Sequence, residues 1–159
     1  MFNLQSILRP NIVRLTPYSC ARDEYQGEAS AMLDANENSF GSPVSVEGAP
    51  DLNRYPASDQ KQLRGKVAEL KGLQIDQVFL GVGSDEVMDL LVRACCVPGR
   101  DSIVIAPPTY GMYQVLGQVN DVTVTEVPLD QNFQLDAKAV LSVIGDSSKL
   151  IFFCSPNNP

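Results

Sequence analysis

The stretch of this chain best equipped for chemistry is Gly81-Val82-Gly83-Ser84-Asp85-Glu86. Its glycines let the backbone turn sharply and let a ligand approach it closely. Beyond them, Val87, Leu90, Leu91, Ala94 and Cys95 recur at helical spacing and predict one apolar helix face. A helix that starts at the turn presents unpaired N–H groups and the positive end of its dipole, which suits a phosphate. Ser84 adds a hydroxyl donor. A carboxylate beside an anion is unfavourable, so the N–H of Asp85 is the useful group there, and its side chain is free to cap the helix. Strand–turn–helix junctions also occur without any ligand, so the turn alone leaves a plain structural role open.

Other residue types limit the remaining chemistry. The chain contains no histidine, which removes the usual general base and the commonest zinc ligand. Acid–base work then falls to Lys, Tyr, Asp, Glu or Cys, or to a cofactor. Cys20, Cys95, Cys96 and Cys154 form no CxxC pair, and reduced thiols in a cytoplasmic protein are expected. The first residues hold only short apolar clusters, so no secretory signal is expected. A net charge of −7 argues against nucleic-acid binding, which needs a basic surface. No apolar run approaches the ~18 residues of a membrane span.

The positioning elements follow from periodicity. Ser58 is expected to cap a helix running to about Lys71, with Leu63, Val67 and Leu70 inward and Gly72 as its stop. A buried strand over 78–80 leads into the glycine turn, and Pro98-Gly99 ends the helix behind it. Ser102-Ile103-Val104-Ile105-Ala106 reads as the next buried strand, followed by a short helix to about Val119. A strand over 122–127, a helix capped by Asp136 with Ala137, Val140, Leu141 and Ile144 inward, and a strand over 149–154 complete the series. Strands alternating with helices predict an α/β domain with a mostly parallel sheet.

Residues 1–57 look different. Pro10, Pro17, Pro43, Pro50 and Pro56 interrupt any long element, and Glu47-Gly48-Ala49-Pro50-Asp51 reads as a surface loop. Such a segment is costly to order by itself, so it is expected to lie across another domain or subunit. The polar clusters around Asn36 and Tyr55, taken alone, read as turn chemistry. At the other end, the apolar strand before Ser155-Pro156-Asn157-Asn158-Pro159 should be flanked on both sides. The chain is therefore expected to be the amino-terminal portion of a longer protein.

Several stretches, in order, resemble the histidinol-phosphate aminotransferase family of pyridoxal-phosphate enzymes. They are Leu15-Thr16-Pro17-Tyr18, Leu33-Asp34-Ala35-Asn36-Glu37-Asn38, Asn53-Arg54-Tyr55-Pro56, Gly81-Val82-Gly83-Ser84-Asp85-Glu86, Arg93-Ala94-Cys95-Cys96-Val97-Pro98-Gly99, Ala106-Pro107-Pro108-Thr109-Tyr110-Gly111-Met112-Tyr113 and Cys154-Ser155-Pro156-Asn157-Asn158-Pro159. The resemblance implies the aspartate-aminotransferase fold (fold type I). Residues 1–57 would be an N-terminal arm contributing to the small domain and to dimer contacts. Residues 58–159 would be the first part of the cofactor-binding large domain.

It further implies that Gly83, Ser84 and Asp85 hold the phosphate of pyridoxal 5′-phosphate and that Tyr110 stacks on its ring. Asn158 would hydrogen-bond the cofactor's phenolic oxygen, with Asn157 the less favoured contact, and Tyr55 would reach the phosphate bound by the partner subunit of a homodimer. Tyr18 and Asn36 match positions near the substrate. The implied reaction is amino transfer between glutamate and imidazole-acetol phosphate, yielding histidinol phosphate and 2-oxoglutarate. The Schiff-base lysine and the partner of the pyridine nitrogen are expected beyond Pro159. None of Lys61, Lys66, Lys71, Lys138 and Lys149 sits in the family's setting for that lysine, so no catalytic residue is assigned, and residues 1–159 alone are expected to be inactive.

Other readings stay open at this stage. Another fold-type-I enzyme, such as a threonine-phosphate decarboxylase or a different aminotransferase, shares this half of the site. A dinucleotide or S-adenosylmethionine domain is disfavoured because Glu86 stands where the third glycine of that fingerprint belongs. A non-catalytic short product that binds a partner is the remaining alternative.

Overall fold

Proline and glycine set the borders of the elements in the computed structural model, which describes residues 3–25, 27, 29–44 and 52–159. The loop expected at 47–51 lies outside the described residues. In chain order the helices are α1 (Pro10–Val13), α2 (Ala21–Glu24), α3 (Lys61–Lys71), α4 (Gly83–Cys95), α5 (Met112–Val119) and α6 (Ala137–Val143). The strands are β1 (Ser102–Ile105), β2 (Thr123–Glu126) and β3 (Ser148–Phe152), and short 3-10 turns occur at Leu4–Ser6 and Ile75–Gln77. The chain divides into two units: one joins the described residues up to Leu15 to Gly81–Pro159, and the other is Thr16–Leu80.

The first unit is built on a parallel sheet of order β2-β1-β3. Because successive side chains of a strand point to opposite faces, β1 feeds two cores. Ile103 and Ile105 pack with Val92 and Cys95 of α4, Tyr113 of α5, Cys96 and Val122 on one face. Val104 packs with Val127, Val140 and Ala139 on the other, beneath α6. Ile103 and Val104 are fully buried, and each such burial contributes on the order of 1.5–3 kcal/mol. Helix α5 lies close to β2 at Gly117, where a Cβ would stand 2.2 Å from Cγ2 of Val124. The α/β class with a mostly parallel sheet is therefore as the alternation of elements implies.

The residues before Leu15 belong to this unit through the far end of α4. The Arg9 N–H donates to the Ala94 carbonyl at 2.9 Å, and its Nη1 donates to the Arg93 carbonyl at 2.9 Å. These bonds satisfy carbonyls that the last turn of a helix leaves unpaired. Leu8 packs against the same core.

In the second unit, α3 starts later than Ser58. Gln60 adopts left-handed backbone geometry ahead of it (φ 45°), the Ser58 hydroxyl donates to Asp23 Oδ1 at 2.7 Å, and Asp59 Oδ1 accepts the Lys61 N–H at 3.0 Å. Gly72 ends the helix in the left-handed region (φ 65°), as its type suggests. The residues turned inward are Ala68 and, in part, Val67, whereas Leu63 and Leu70 are exposed. No strand forms over 78–80. The Val78 carbonyl accepts Nε of Arg64 at 2.9 Å, and the Ile75 carbonyl accepts Nη2 at 2.8 Å, so a guanidinium occupies the acceptors instead of a neighbouring strand.

Two further helices rotate away from their expected faces. On α4 the inward side runs through Met88, Val92 and Cys95, while Leu90 and Leu91 are each 44% exposed. On α6 Val140 is buried and Leu141 exposed. No helix among the described residues is long and apolar enough to cross a membrane.

Candidate functional site

The N-terminus of α4 is held open by its own side chains. Gly83 adopts φ 75°, a conformation that favours glycine, and its N–H donates to the Gly81 carbonyl at 3.0 Å. A Cβ on Gly81 would meet Cγ2 of Val87 at 2.7 Å, so the turn is as tight as its sequence suggests. No side chain caps the helix, whose N-cap position is Val82. Glu86 folds back so that its Oε2 accepts the Val82 N–H. Asp85 is also engaged elsewhere. Among the described residues, nothing outside the helix takes up the N–H groups of Ser84 and Asp85, and Gly83 and Ser84 are exposed. This donor set fits an anion, and both first-turn carboxylates are already engaged by other donors.

Asp85 does not cap the helix. Its Oδ1 and Oδ2 each lie 3.2 Å from the Tyr110 hydroxyl, which donates to them. Tyr110 sits between β1 and α5, half-buried, with its ring edge-on to Tyr113 at 5.7 Å and 87°. Tyr113 in turn stacks on Phe152 of β3 at 5.1 Å and 11°. Burial, then the Asp85 carboxylate, push the Tyr110 phenol above its ordinary pKa, so it remains a donor. The loop carrying Tyr110 is fastened to the residues after β3: Asn157 Nδ2 donates to the Pro108 carbonyl at 2.7 Å, and the Thr109 hydroxyl donates to Asn157 Oδ1 at 3.1 Å. The neighbouring Asn158 is exposed, and its amide forms no hydrogen bond among the described residues. Asn157 is thus committed to the loop, and Asn158 keeps its donors.

In the second unit, Tyr18, Asn36 and Tyr55 line one cavity of about 500 Å³, together with Arg22, Asp34 and Ser58. The side chain beneath them is Glu37, which is 4% exposed. Glu37 Oε1 accepts Nη1 of Arg22 at 3.0 Å and the Tyr55 N–H at 2.7 Å, and Oε2 accepts Nη1 of Arg54 at 2.7 Å. Arg22 also pairs with both oxygens of Asp34 at 3.0 Å. Arg22 above all, then Arg54 and the Tyr55 N–H, hold the Glu37 carboxyl down at about 2. The same guanidinium lowers Asp34. Glu37, Arg22 and Arg54 were not legible as a site from the sequence. The one available signal was that Glu37 follows Asn36 in a run of amides and acids.

The sequence-predicted residues thus fall into two sets, each gathered within its own unit: Gly83, Ser84, Asp85, Tyr110 and Asn158 in the first, and Tyr18, Asn36 and Tyr55 in the second. The lysines are placed away from such clusters. Lys66 pairs with Glu69 on α3, and Lys149 donates to the Asp146 carbonyl at 3.0 Å. No group of acidic or sulfur side chains among the described residues could hold a metal ion.

Known proteins resemble this chain in sequence and fold. The chain is 49% identical over 158 residues to a histidinol-phosphate aminotransferase of Cytophaga hutchinsonii, covering 99% of this chain and 44% of that protein. It is 50% identical over 159 residues to a histidinol-phosphate aminotransferase of Parabacteroides distasonis, covering 100% of this chain and 44% of that protein. Among solved structures, the histidinol-phosphate aminotransferase of Clostridium acetobutylicum superposes with a TM-score of 0.56 at 26% identity, over 68% of this chain and 31% of that one. The chain therefore spans less than half the length of the curated relatives it matches. Residues 22–159 match aminotransferase class I and II. With the open helix end, the tethered tyrosine and the parallel sheet all within that match, the chain belongs to the aminotransferase class I and II family.

Proposed function

We propose that this chain forms the front part of a histidinol-phosphate transaminase that uses pyridoxal 5′-phosphate, a cofactor on which this family generally depends. The observation that carries the reading is the identity of about half the residues, along essentially the whole chain, with relatives bearing that name. The open end of α4 supports it. Gly83 lets the cofactor's phosphate approach the backbone closely, and the N–H groups of Ser84 and Asp85 and the Ser84 hydroxyl hold it, where dipole and donors act together. Tyr110 offers its ring face to the pyridine ring. The uncommitted amide of Asn158 donates to the phenolic oxygen, steadying it without adding a charge. When bound, pyridoxal phosphate supplies the electron sink for amino transfer between glutamate and imidazole-acetol phosphate. Tyr18 and Asn36 contact the substrate. Tyr55 reaches the phosphate held by the partner subunit of a homodimer, which residues 1–57 help to form while residues 58–159 open the cofactor domain. No residue of this chain is assigned a catalytic role. A cytoplasmic location is in keeping with the four free thiols.

The test uses the native full-length protein. It should bind pyridoxal 5′-phosphate with a new visible absorption band and transfer the amino group of histidinol phosphate to 2-oxoglutarate. Release of CO2 from threonine phosphate, without that transfer, would replace the reading by a decarboxylase of the same fold. A full-length protein that binds no pyridoxal phosphate would overturn the reading.

A further inference from the structure

We propose that the Asp85 carboxylate is a positioning group that fixes the Tyr110 ring, coupling the ring-facing part of the cofactor site to its anion-binding helix end. The inference rests on the cofactor reading above and deepens it.

A tyrosine used only as a flat surface has no need of its hydroxyl, since a phenylalanine ring offers the same face. Here the hydroxyl has a partner 25 positions away, reached at 3.2 Å by both carboxylate oxygens. Tyr113 meets the same ring edge-on. Two contacts of different kinds thus limit the tilt of Tyr110: a hydrogen bond at the tip and an aromatic edge along the side. Asp85 stands in the first turn of α4, the helix proposed to hold the phosphate. Its charge opposes a bound phosphate, so its side chain works against the anion while its backbone N–H works for it. Replacing the side chain keeps the N–H and removes both the repulsion and the tether. The two consequences carry opposite signs, and the sign separates this role from general structural support.

The experiment uses the native full-length protein freed of cofactor, with two probes titrated by calorimetry: inorganic phosphate and pyridoxamine 5′-phosphate. Wild type is expected to bind pyridoxamine 5′-phosphate, and a folded wild type that does not would overturn the cofactor reading together with this inference. Asp85→Ala is expected to bind pyridoxamine 5′-phosphate about tenfold more weakly, the scale of one hydrogen bond to a charged group, while inorganic phosphate binds as well as before or better. Asp85→Asn keeps an acceptor for the phenol and should stay within about threefold of wild type for pyridoxamine 5′-phosphate. Tyr110→Phe, which removes the tether and keeps the charge, should weaken pyridoxamine 5′-phosphate at least as much as Asp85→Ala and leave inorganic phosphate unchanged, and the double variant should lose nothing beyond Tyr110→Phe. If Asp85→Ala fails to fold, Tyr110→Phe, which keeps the ring, carries the test. The proposal is overturned if, in either variant, the affinity for pyridoxamine 5′-phosphate relative to that for inorganic phosphate stays that of wild type, which includes the case in which both probes are lost in parallel.

Discussion

Tyr55 receives its backbone anchor from Glu37, whose Oε1 accepts the Tyr55 N–H at 2.7 Å across 18 positions of sequence. The same carboxylate pairs with two guanidiniums, Arg22 and Arg54. One acid therefore links three chain segments that line the Tyr18–Asn36–Tyr55 cavity, and its loss strands Arg54 and leaves Arg22 with Asp34 alone. A partly buried charge deprived of its partner costs more than the pair contributed. Glu37→Ala is expected to lower the melting temperature by roughly 5 °C or more. Arg54→Ala should cost less, because Arg22 still holds the carboxylate. Thermal melts of the two variants side by side check the order; equal melting temperatures would remove Glu37 from the centre of the network.

The same acid makes an expectation about pH. The Glu37 carboxyl, ordinarily near 4.5, is held at about 2 in the folded chain. A lowered folded-state pKa gives stability that is fully present above the unfolded value and is lost as pH falls through the folded one. Between pH 4.5 and about 2 the wild type should therefore lose stability more steeply than Glu37→Gln, with Asp34, also lowered, adding to the slope in both. Urea midpoints measured at intervals from pH 6 to 2.5 check this, and parallel curves for the two proteins would contradict it.

Gly117 offers a test in which the sign decides. Exchanging a mid-helix glycine for alanine ordinarily stabilises a helix by about 1 kcal/mol. Here the new Cβ would stand 2.2 Å from Val124 Cγ2 and 3.2 Å from the Val122 carbonyl. Gly117→Ala is expected to destabilise by about 1–3 kcal/mol, as overpacking does. Adding Val124→Ala should recover part of the loss, giving a double variant more stable than additivity allows. Denaturant titration measures all three.

Asp136 caps α6 by accepting the Lys138 N–H at 2.8 Å and the Ala139 N–H at 3.1 Å. Asp136→Ala is expected to cost about 0.5–2 kcal/mol, and Asp136→Ser to cost less. Exchange rates of the Lys138 and Ala139 amides should rise in the alanine variant and not in the serine one.

Tyr55→Phe tests the proposed reach of Tyr55. In the full-length protein it should weaken pyridoxal 5′-phosphate by about tenfold, the scale of one hydrogen bond to a charged group, and leave pyridoxal, which lacks the phosphate, unaffected. Equal losses for both would assign Tyr55 to packing.

How far the sequence carries depends on the range of the interaction. The Asp136 cap and the Gly72 stop are settled within a few residues, and both are found. The continuous apolar run at 102–106 reads as a central strand, and it is buried throughout. The faces of α3, α4 and α6 were harder to read. Leu63, Leu70, Leu91 and Leu141 fit the period but remain exposed, because period identifies a stripe and only a packing partner decides which side of it is covered. The strand expected over 78–80 is displaced by Arg64, a side chain 14 positions earlier whose reach to Val78 has no local signature. In the candidate site, the glycine turn announces its own geometry. The Asp85 side chain reads as a helix cap, and it is the phenol of Tyr110, distant in sequence, that claims it. Glu37 was hidden for the same reason, its partners lying 15 and 17 positions away.

The bond from Arg9 to the Arg93 carbonyl spans 84 positions, and that distance imposes an order on biosynthesis. Chain emerging from a ribosome at about 5–20 residues per second leaves the segment around Arg9 without its partner for on the order of 4–17 s. Throughout that interval Thr16–Leu80, whose hydrogen bonds are more local, has all of its sequence available before α4 is finished. The segment around Arg9 is therefore secured only once α4 is complete. Leu8, the apolar side chain that it carries toward the core, spends that time uncovered, and it marks the segment on which a nascent-chain chaperone has the longest opportunity to act.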